Sequence, residues 1–150
     1  MKENMKKIEE MTRHSIFEVF NKMFFLFLEP LDDKDNGYDM EAAIRFEGSM
    51  SGEVRIFLSA DIVKTMIQNM LGLAEDEITE RDIEDSSKEA VNMIAGNFLG
   101  KLDSTEVFNL SMPVFKKQPG DLEFTENACR MDFDSDGGKV GVIIAVNGYP

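Results

Sequence analysis

Residues 80–102 have the sequence ERDIEDSSKEAVNMIAGNFLGKL, and their apolar residues recur at the spacing of one long helix. With about 100° per residue and Ile94 as the centre, the side chains within about 60° form a stripe that faces a core. Thr79, with Asp82 three residues later, predicts the cap at which this helix begins. The stretch therefore predicts a helix that buries one face. The buried stripe consists of Ile83, Ser87, Ala90, Val91, Ile94 and Phe98, with Leu102 just beyond it.

The opposite face of this helix carries residues that a helix does not favour for its own stability. Glu89, Asn92 and Gly96 lie within about 40° of the pole opposite the core, and Asp85 and Leu99 lie there too. A glycine costs roughly 1 kcal/mol against alanine in a helix interior. Its position one turn beyond Asn92 removes a side chain that would keep another molecule away. A carboxylate and a carboxamide thus project together from a rigid surface, which favours docking of a partner.

Periodicity alone leaves other interpretations open. A Glu and an Asn also face outward on helices that only display a polar surface to water. Leu99 is either a docking contact or a cover for another surface of the same protein. Asn97 falls about 60° from the centre of the core stripe, off the outward patch, and is predicted to form a structural hydrogen bond.

The rest of the chain predicts further helices and strands around this helix. Residue 30 is a proline that ends the first helix, and Gly72 ends the second. The last strand pattern is apolar on both of its faces, as in a central strand that is covered on both sides. Helical patterns span residues 4–28 and 60–71, a turn is predicted at 48–52, and strand patterns span residues 38–47, 54–58, 105–115, 128–133 and 139–146.

Two segments indicate an internal repeat. SGEVRIFL (51–58) and GGKVGVII (137–144) share one pattern of glycine, charge and aliphatic residues. EVFN (18–21) and EAVN (89–92) are both Glu-x-x-Asn, and each lies in a long helix that precedes strands. We therefore predict a duplicated α+β architecture within one domain, residues 1–150, whose halves span about 1–72 and 79–150.

Charge and composition narrow the class of protein. The formal net charge of −13 argues against a nucleic-acid-binding protein and against binding to an anionic membrane surface. The most apolar segment, residues 16–30, is interrupted by polar residues and is too short to cross a membrane. A single cysteine, Cys129, allows no intrachain disulfide and fits a reducing, cytoplasmic location. The only histidine is His14, and the sequence contains no metal-binding or nucleophile motif, so a self-contained active site is not predicted.

A family resemblance rests on the outward face of the helix. The pattern of Asp85, Glu89, Asn92, Gly96 and Asn97, followed by LSMP (110–113), resembles the CheC/CheX/FliY family of chemotaxis phosphatases. The match is best to the CheX-like branch, in which NMIAGN (92–97) reads almost the same. The resemblance covers most of the chain. It implies an α+β fold with two long helices packed on an antiparallel sheet and a pseudo-twofold internal repeat.

The resemblance also implies an activity and a partner. Members of the family dephosphorylate the phospho-aspartate of the response regulator CheY, so the expected partner is a phosphorylated CheY-like receiver domain. By this resemblance Asn92 orients the attacking water, Glu89 pairs with the receiver's active-site lysine, and Asp85, Gly96 and Leu99 contribute to docking. The chain needs no cofactor of its own, because Mg²⁺ is expected on the receiver. A homodimer is expected as well, with no nucleic acid and no membrane as partner.

Two alternatives to this interpretation remain. Glu18 and Asn21 repeat the Glu-x-x-Asn spacing and are candidates for a degenerate second site, but Phe25 stands where the second helix has Gly96 and would obstruct close docking. An ordinary pair on a helix face is therefore favoured at this position. The competing function is a non-catalytic module that docks a receiver or a flagellar-switch component through the same face. A regulatory domain that binds something unrelated is a third interpretation.

Overall fold

The computed structural model describes residues 2–32, 37–103, 105–122, 127–135 and 138–147. The predicted domain of residues 1–150 therefore has both of its ends outside the described residues. The helices are α1 (Lys2–Phe24), α2 (Ala60–Leu71) and α3 (Glu80–Leu102), and a 3₁₀ turn spans Glu75–Glu77. The strands are β1 (Glu29–Pro30), β2 (Met40–Glu47), β3 (Ser51–Leu58), β4 (Asn109–Leu110), β5 (Val114–Lys116), β6 (Ala128–Ser135) and β7 (Gly138–Asn147).

The strands form one antiparallel sheet in the order β1-β6-β7-β3-β2-β4, and β5 also pairs with β2. Strand β7 lies between β6 and β3, with Val142 opposite Ile56 of β3. Val142 is buried in the main core, whereas Ile143 belongs to a second cluster. Since successive side chains of a strand point to opposite faces, β7 is covered on both sides, which confirms the prediction for a central strand.

The two long helices pack on different parts of one sheet face. Phe98 of α3 lies 6.2 Å from Phe46 of β2, measured between ring centroids, and Phe17 of α1 lies 5.3 Å from Phe133 of β6. Helix α2 contacts β7 and both long helices. The α+β fold with two long helices on an antiparallel sheet is therefore confirmed, while the internal repeat and its halves stay a prediction. Across the described residues, no helix combines the length and apolar character needed for a membrane crossing.

On the other face of the sheet, a short segment at residues 120–122 packs against the strands. Leu122 packs against a cluster formed by Tyr38, Phe57 and Ile143. The backbone N–H of Gly120 in the same segment donates to a buried carboxylate on β2, at 2.8 Å. Residues 120–122 therefore pack on the back of the sheet, opposite the helices.

Helix α1 ends at Phe24, so the prediction that it continues to residue 28 is wrong. Phe25 has a φ of 55°, in the left-handed region, and the N–H of Leu26 donates to the Phe20 carbonyl at 3.0 Å. The side-chain amide of Asn69, on α2, donates to the Phe24 carbonyl at 3.0 Å. A partner from α2 thus satisfies one of the carbonyls that the end of a helix leaves open.

The segment that follows α1 is extended, not helical. Leu26 and Leu28 are buried, whereas Phe25 and Phe27 are 66% and 77% exposed, which is the alternation of a strand. The segment continues into β1 (Glu29–Pro30), which pairs with β6. The run FFLFL is apolar at every position, so it fits the helical period and the strand period equally well. Pairing with the free edge of β6 decides between them.

The strand predicted over residues 105–115 is two short strands with a break between them. β4 and β5 both pair with β2, and the N–H of Ser111 donates to the Arg45 carbonyl at 2.9 Å. The side-chain hydroxyl of Ser111 accepts from the Arg45 N–H at 3.0 Å. Pro113 has no N–H to donate, which accounts for an interruption of the ladder here.

Candidate functional site

Helix α3 has the bounds and the cap that its sequence predicts. The hydroxyl of Thr79 accepts from the Asp82 N–H at 3.1 Å, and the Asp82 carboxylate accepts from the Thr79 N–H at 2.9 Å. This reciprocal pair satisfies two N–H groups that the start of a helix leaves open. Helix α3 therefore begins at Glu80, as the sequence predicts.

The structure places the predicted outward residues together on the exposed face of α3. Glu89 and Gly96 are exposed, and Asn92 is half-buried between them. Neither Glu89 nor Asn92 forms a side-chain hydrogen bond or an ion pair with another residue in the described ranges. Asp85 is exposed one turn before Glu89, and its carboxylate lies 3.8 Å from Arg81. The carboxylate of Glu89 and the amide of Asn92 are therefore available to a group from another molecule.

Glycines leave the surface beyond Asn92 without side chains. A Cβ added to Gly96 or to Gly100 would meet no atom within 4 Å. Met93 lies beside this surface and is 43% exposed. Our reasoning from the sequence missed Gly100 and Met93, although both lie one turn from residues that it identified. The exposed face of α3 thus carries the polar side chains of Glu89 and Asn92 and the apolar side chain of Met93. The surface at the two glycines is free of side chains, so another molecule can come close to the helix backbone there.

Leu99 does not lie on this face, and its placement among the docking residues is wrong. It is 5% exposed and belongs to the main core cluster, as do Ala95 and Phe98. Helix α3 contacts α1 and α2 as well as the sheet, so more of its circumference is covered than a single stripe would predict. The alternative that the sequence left open, a cover for another surface of the same protein, describes Leu99 correctly.

Glu18 of the first Glu-x-x-Asn pair is engaged within the chain. Its Oε2 accepts from the side-chain amide of Asn97 at 3.0 Å and from the Lys101 ammonium at 2.9 Å, and its Oε1 accepts from Lys22 at 2.9 Å. The hydrogen bonds from Lys22, Lys101 and Asn97 lower the pKa of Glu18 from 4.5 to about 2. The prediction that Asn97 forms a structural hydrogen bond is confirmed, and Asn21 remains exposed beside this contact.

The groove beside Glu18 is shallow, and most of the residues that line it are polar or charged. It has a volume of about 300 Å³ and is lined by His14, Phe17, Glu18, Asn21, Lys22 and Lys101. His14 is exposed on α1, and Cys129 packs at the edge of the main core. Within the ranges that the structure describes, no three His, Cys, Asp or Glu side chains come together as a metal-binding cluster. Among these features, the exposed face of α3 is therefore the candidate functional site.

Solved structures of the same fold include several chemotaxis proteins. The chain shares 23% identity with the chemotaxis protein CheX from Vibrio vulnificus, with a TM-score of 0.78 over 93% of this chain and 96% of that one. It shares 22% identity with a CheC-like superfamily protein from Shewanella sp. PV-4, with a TM-score of 0.79 over 94% and 97%. A CheX–CheY complex with BeF3 and Mg²⁺ from Borrelia burgdorferi gives 19% identity and a TM-score of 0.71 over 92% and 96%. These likenesses define a CheC-like fold.

The family model for the chemotaxis phosphatase CheX matches residues 40–133, which is more than half of the chain. The chain therefore belongs to the CheX family of chemotaxis phosphatases. The matched segment includes the whole of α3 and its exposed face. A comparison with curated protein sequences found no match to this chain.

Proposed function

We propose that this protein hydrolyses the phospho-aspartate of a CheY-like receiver domain and so ends a chemotaxis signal. The observation that carries the proposal is the pair of unengaged side chains, Glu89 and Asn92, on the exposed face of α3 beside the open surface at Gly96. A related fold is solved in complex with CheY, BeF3 and Mg²⁺, in which BeF3 stands in for the phosphoryl group. That complex supports a receiver domain as the partner class.

The chemistry requires positioning more than covalent catalysis. In phosphoryl transfer the attacking and leaving oxygens lie roughly in line, and charge spread over the equatorial oxygens must be neutralised. In our proposal the amide of Asn92 holds the water in line with the phosphorus. The water oxygen forms a bond to phosphorus, the bond to the aspartate oxygen breaks, and inorganic phosphate leaves with the aspartate restored.

Glu89 supplies a second contact at the same time. Its carboxylate pairs with the active-site lysine of the receiver, which fixes the orientation of α3 in the receiver's site. Mg²⁺ belongs to the receiver, and no metal or cofactor is required of this chain. Holding the reactants in place accounts for a large part of the rate in such a reaction. Asp85 lies one turn from Glu89 and contributes to docking at the edge of the exposed face of α3.

Phosphate release from a phosphorylated CheY-like receiver tests this proposal. We expect the wild-type protein to accelerate release well beyond the spontaneous rate of the receiver. If the protein binds the BeF3-loaded receiver and leaves the rate unchanged, the phosphatase proposal fails. The alternative, a non-catalytic module that docks a receiver or a flagellar-switch component through the same face, then stands.

Gly96 gives a direct test of how closely the partner approaches. We expect Gly96→Phe to abolish receiver binding while the thermal unfolding midpoint stays close to that of the wild type, because the new side chain extends into open space. Gly96→Ala is the matched control and should be slightly more stable, by about 0.5–1 kcal/mol, with docking largely retained. Full activity of Gly96→Phe would show that the partner does not approach this surface.

We also propose that the protein acts in the cytoplasm as a homodimer. The stretch from β4 to β5 carries exposed apolar side chains at the edge of the sheet, and Phe25 and Phe27 are exposed at the end of α1. Apolar side chains grouped in this way are typical of interaction surfaces. Light scattering should give the mass of two chains. The single-chain mass at micromolar concentration would contradict the dimer. The exposed side chains from β4 to β5 are Leu110, Met112 and Val114, and Val107 is exposed two residues before β4.

A further inference from the structure

The carboxylate of Glu18 is the point at which side chains of α1 and α3 meet by polar contact. Two of its three hydrogen bonds come from α3, from Asn97 and Lys101, and both end on the same oxygen. The third comes from Lys22, one turn away on α1. Asn97 and Lys101 are one helical turn apart, so Glu18 is hydrogen-bonded to two successive turns on one side of α3.

Asn97 depends on Glu18 for its orientation. Its Oδ1 is buried and has no partner among the described residues, so the bond to Glu18 is the contact that holds the amide. The apolar side chains of α3, such as Ile94 and Phe98, bury area against the sheet. Close packing of these side chains holds α3 on the sheet, and the two hydrogen bonds, which have a defined length and direction, add a restraint at its flank.

We propose that Glu18 is a positioning residue for the phosphatase reaction, because it fixes the rotation of α3 about its axis and thereby the direction of Asn92. The inference rests on the proposed function of Asn92. Asn97 and Asn92 are about 140° apart around the helix axis. Because the helix rotates as one body, the hydrogen bond at Asn97 also sets the direction of the Asn92 side chain. The first Glu-x-x-Asn pair thus supports the second instead of forming a site of its own.

A small rotation is enough to matter. Side-chain tips lie about 6 Å from the helix axis, so a rotation of about 10° moves the amide of Asn92 by about 1 Å. A displacement of this size can cost up to about 100-fold in rate. Since only part of the helix restraint is lost with Glu18, we expect a smaller loss of about 5- to 20-fold in kcat.

The pH dependence of this contact has a definite sign. The pKa of Glu18 is lowered from 4.5 to about 2 by Lys22, Lys101 and Asn97. A carboxyl with a lowered pKa in the folded chain stabilises the fold above its unfolded pKa and loses that contribution as the pH falls through its folded pKa. The stability that the contact contributes is therefore complete at neutral pH and declines between about pH 4.5 and 2, whereas the carboxylate of the folded chain takes up its proton only near pH 2.

Steady-state kinetics on the phosphorylated receiver tests the inference. We expect Glu18→Ala to lower kcat about 5- to 20-fold with KM within about twofold. Glu18→Gln should recover most of the rate, because its amide oxygen still accepts from Asn97 and Lys101. The matched control is Glu9→Ala, which removes another carboxylate of α1 paired within the helix, with Arg13 at 2.8 Å.

Two further variants separate positioning from stability. Lys22→Ala removes the bond within α1 and should leave kcat unchanged, whereas Lys101→Ala removes a bond from α3 and should lower it. If Glu18→Ala and Lys101→Ala lower the unfolding midpoint but keep the wild-type kcat, the role is only structural and the inference is overturned. If Glu18→Ala fails to fold, Lys101→Ala and Glu18→Gln carry the same comparison.

A failure of the proposed function is distinguishable from a failure of this inference. If the wild type does not accelerate phosphate release, the proposed function fails, and nuclear magnetic resonance of the Asn92 side-chain amide decides about Glu18. A shift of that resonance in Glu18→Ala, with none in Glu9→Ala, supports the control of Asn92 by Glu18. An unchanged resonance overturns it.

Discussion

Replacing Asn92 with alanine is expected to lower the rate of receiver dephosphorylation by about 10²–10³-fold, the usual cost of losing one positioned group in an active site. The side chain forms no hydrogen bond with another described residue, so its loss removes no hydrogen bond from the fold. Alanine is also the better helix former, so the free energy of unfolding should be unchanged or slightly higher. Phosphate-release kinetics and thermal unfolding, measured on the same preparation, check both parts.

Asn21→Ala is the matched control for this variant. Asn21 holds the same place in its Glu-x-x-Asn pair and is exposed on α1, but Glu18 beside it is already bonded to three other residues. We expect Asn21→Ala to be nearly silent. A loss comparable to that of Asn92→Ala would show that the first helix forms a second site, and a silent Asn92→Ala would remove the proposed mechanism.

Glu89→Ala should lose activity through a different parameter. If its carboxylate pairs with a lysine of the receiver, its removal weakens docking as well as orientation. We therefore expect KM to rise with Glu89→Ala, whereas Asn92→Ala mainly lowers kcat. Identical effects on kcat alone would assign Glu89 to the reacting centre instead of to the receiver's lysine.

The exposed face of α3 could be predicted from the sequence because several local signals agree. The cap at Thr79, the apolar stripe through Ile94 and the outward Glu89 and Asn92 all follow from residues less than thirty positions apart. Each signal depends only on the geometry of one helix, which is nearly constant between proteins. The capping box and the helix bounds of the structure agree with that prediction.

The parts that failed depend on neighbours distant in the chain. Leu99 is buried because α1 and α2 also contact α3, which a wheel of α3 alone cannot show. The end of α1 at Phe24 depends on an amide from α2, and the bond between Glu18 and Asn97 joins residues 79 positions apart. The helix wheel did place Asn97 off the exposed patch, which is why its hydrogen bond was expected without its partner.

On the back of the sheet, an ion pair should dominate the effect of mutation on stability. The guanidinium of Arg55 on β3 donates to both carboxylate oxygens of Glu41 on β2, at 2.9 and 3.1 Å. The Glu41 side chain is 1% exposed and that of Arg55 is 18% exposed. Arg55 also donates to the Asp121 carbonyl at 2.9 Å, and its guanidinium carbon lies 4.8 Å from the centre of the Phe57 ring.

We expect Arg55→Ala to lower the free energy of unfolding by about 3–5 kcal/mol, because it leaves a buried carboxylate without its cation. Arg45→Ala is the matched control on the same two strands. Its guanidinium lies 3.8 Å from Glu53, and its side chain is 74% exposed, so the loss should stay below about 1 kcal/mol. Replacing both Glu41 and Arg55 with methionine should cost less than Arg55→Ala, since no charge is then left buried.

The pH dependence separates this ion pair from simple packing. Burial opposes ionisation of Glu41, but the hydrogen bonds from Arg55 and the Gly120 N–H outweigh it and hold the pKa of Glu41 below 4.5. A carboxyl with a lowered pKa contributes stability above its unfolded pKa and loses it as the pH falls through its folded pKa. In Arg55→Ala, burial without the cation raises the pKa of Glu41 and reverses this dependence.

Urea unfolding at a series of pH values measures the consequence. The difference in free energy of unfolding between the wild type and Arg55→Ala should be largest near neutral pH. It should begin to shrink as the pH falls through the raised pKa of Glu41 in the variant, and it should shrink further below 4.5, where the wild type loses its own contribution from Glu41. Protonation then removes the unpaired charge from the variant and the ion pair from the wild type. A difference that stays constant into acid would assign the loss to the packing of Arg55 against Phe57, and a loss no larger than that of Arg45→Ala would refute the buried ion pair as a source of stability.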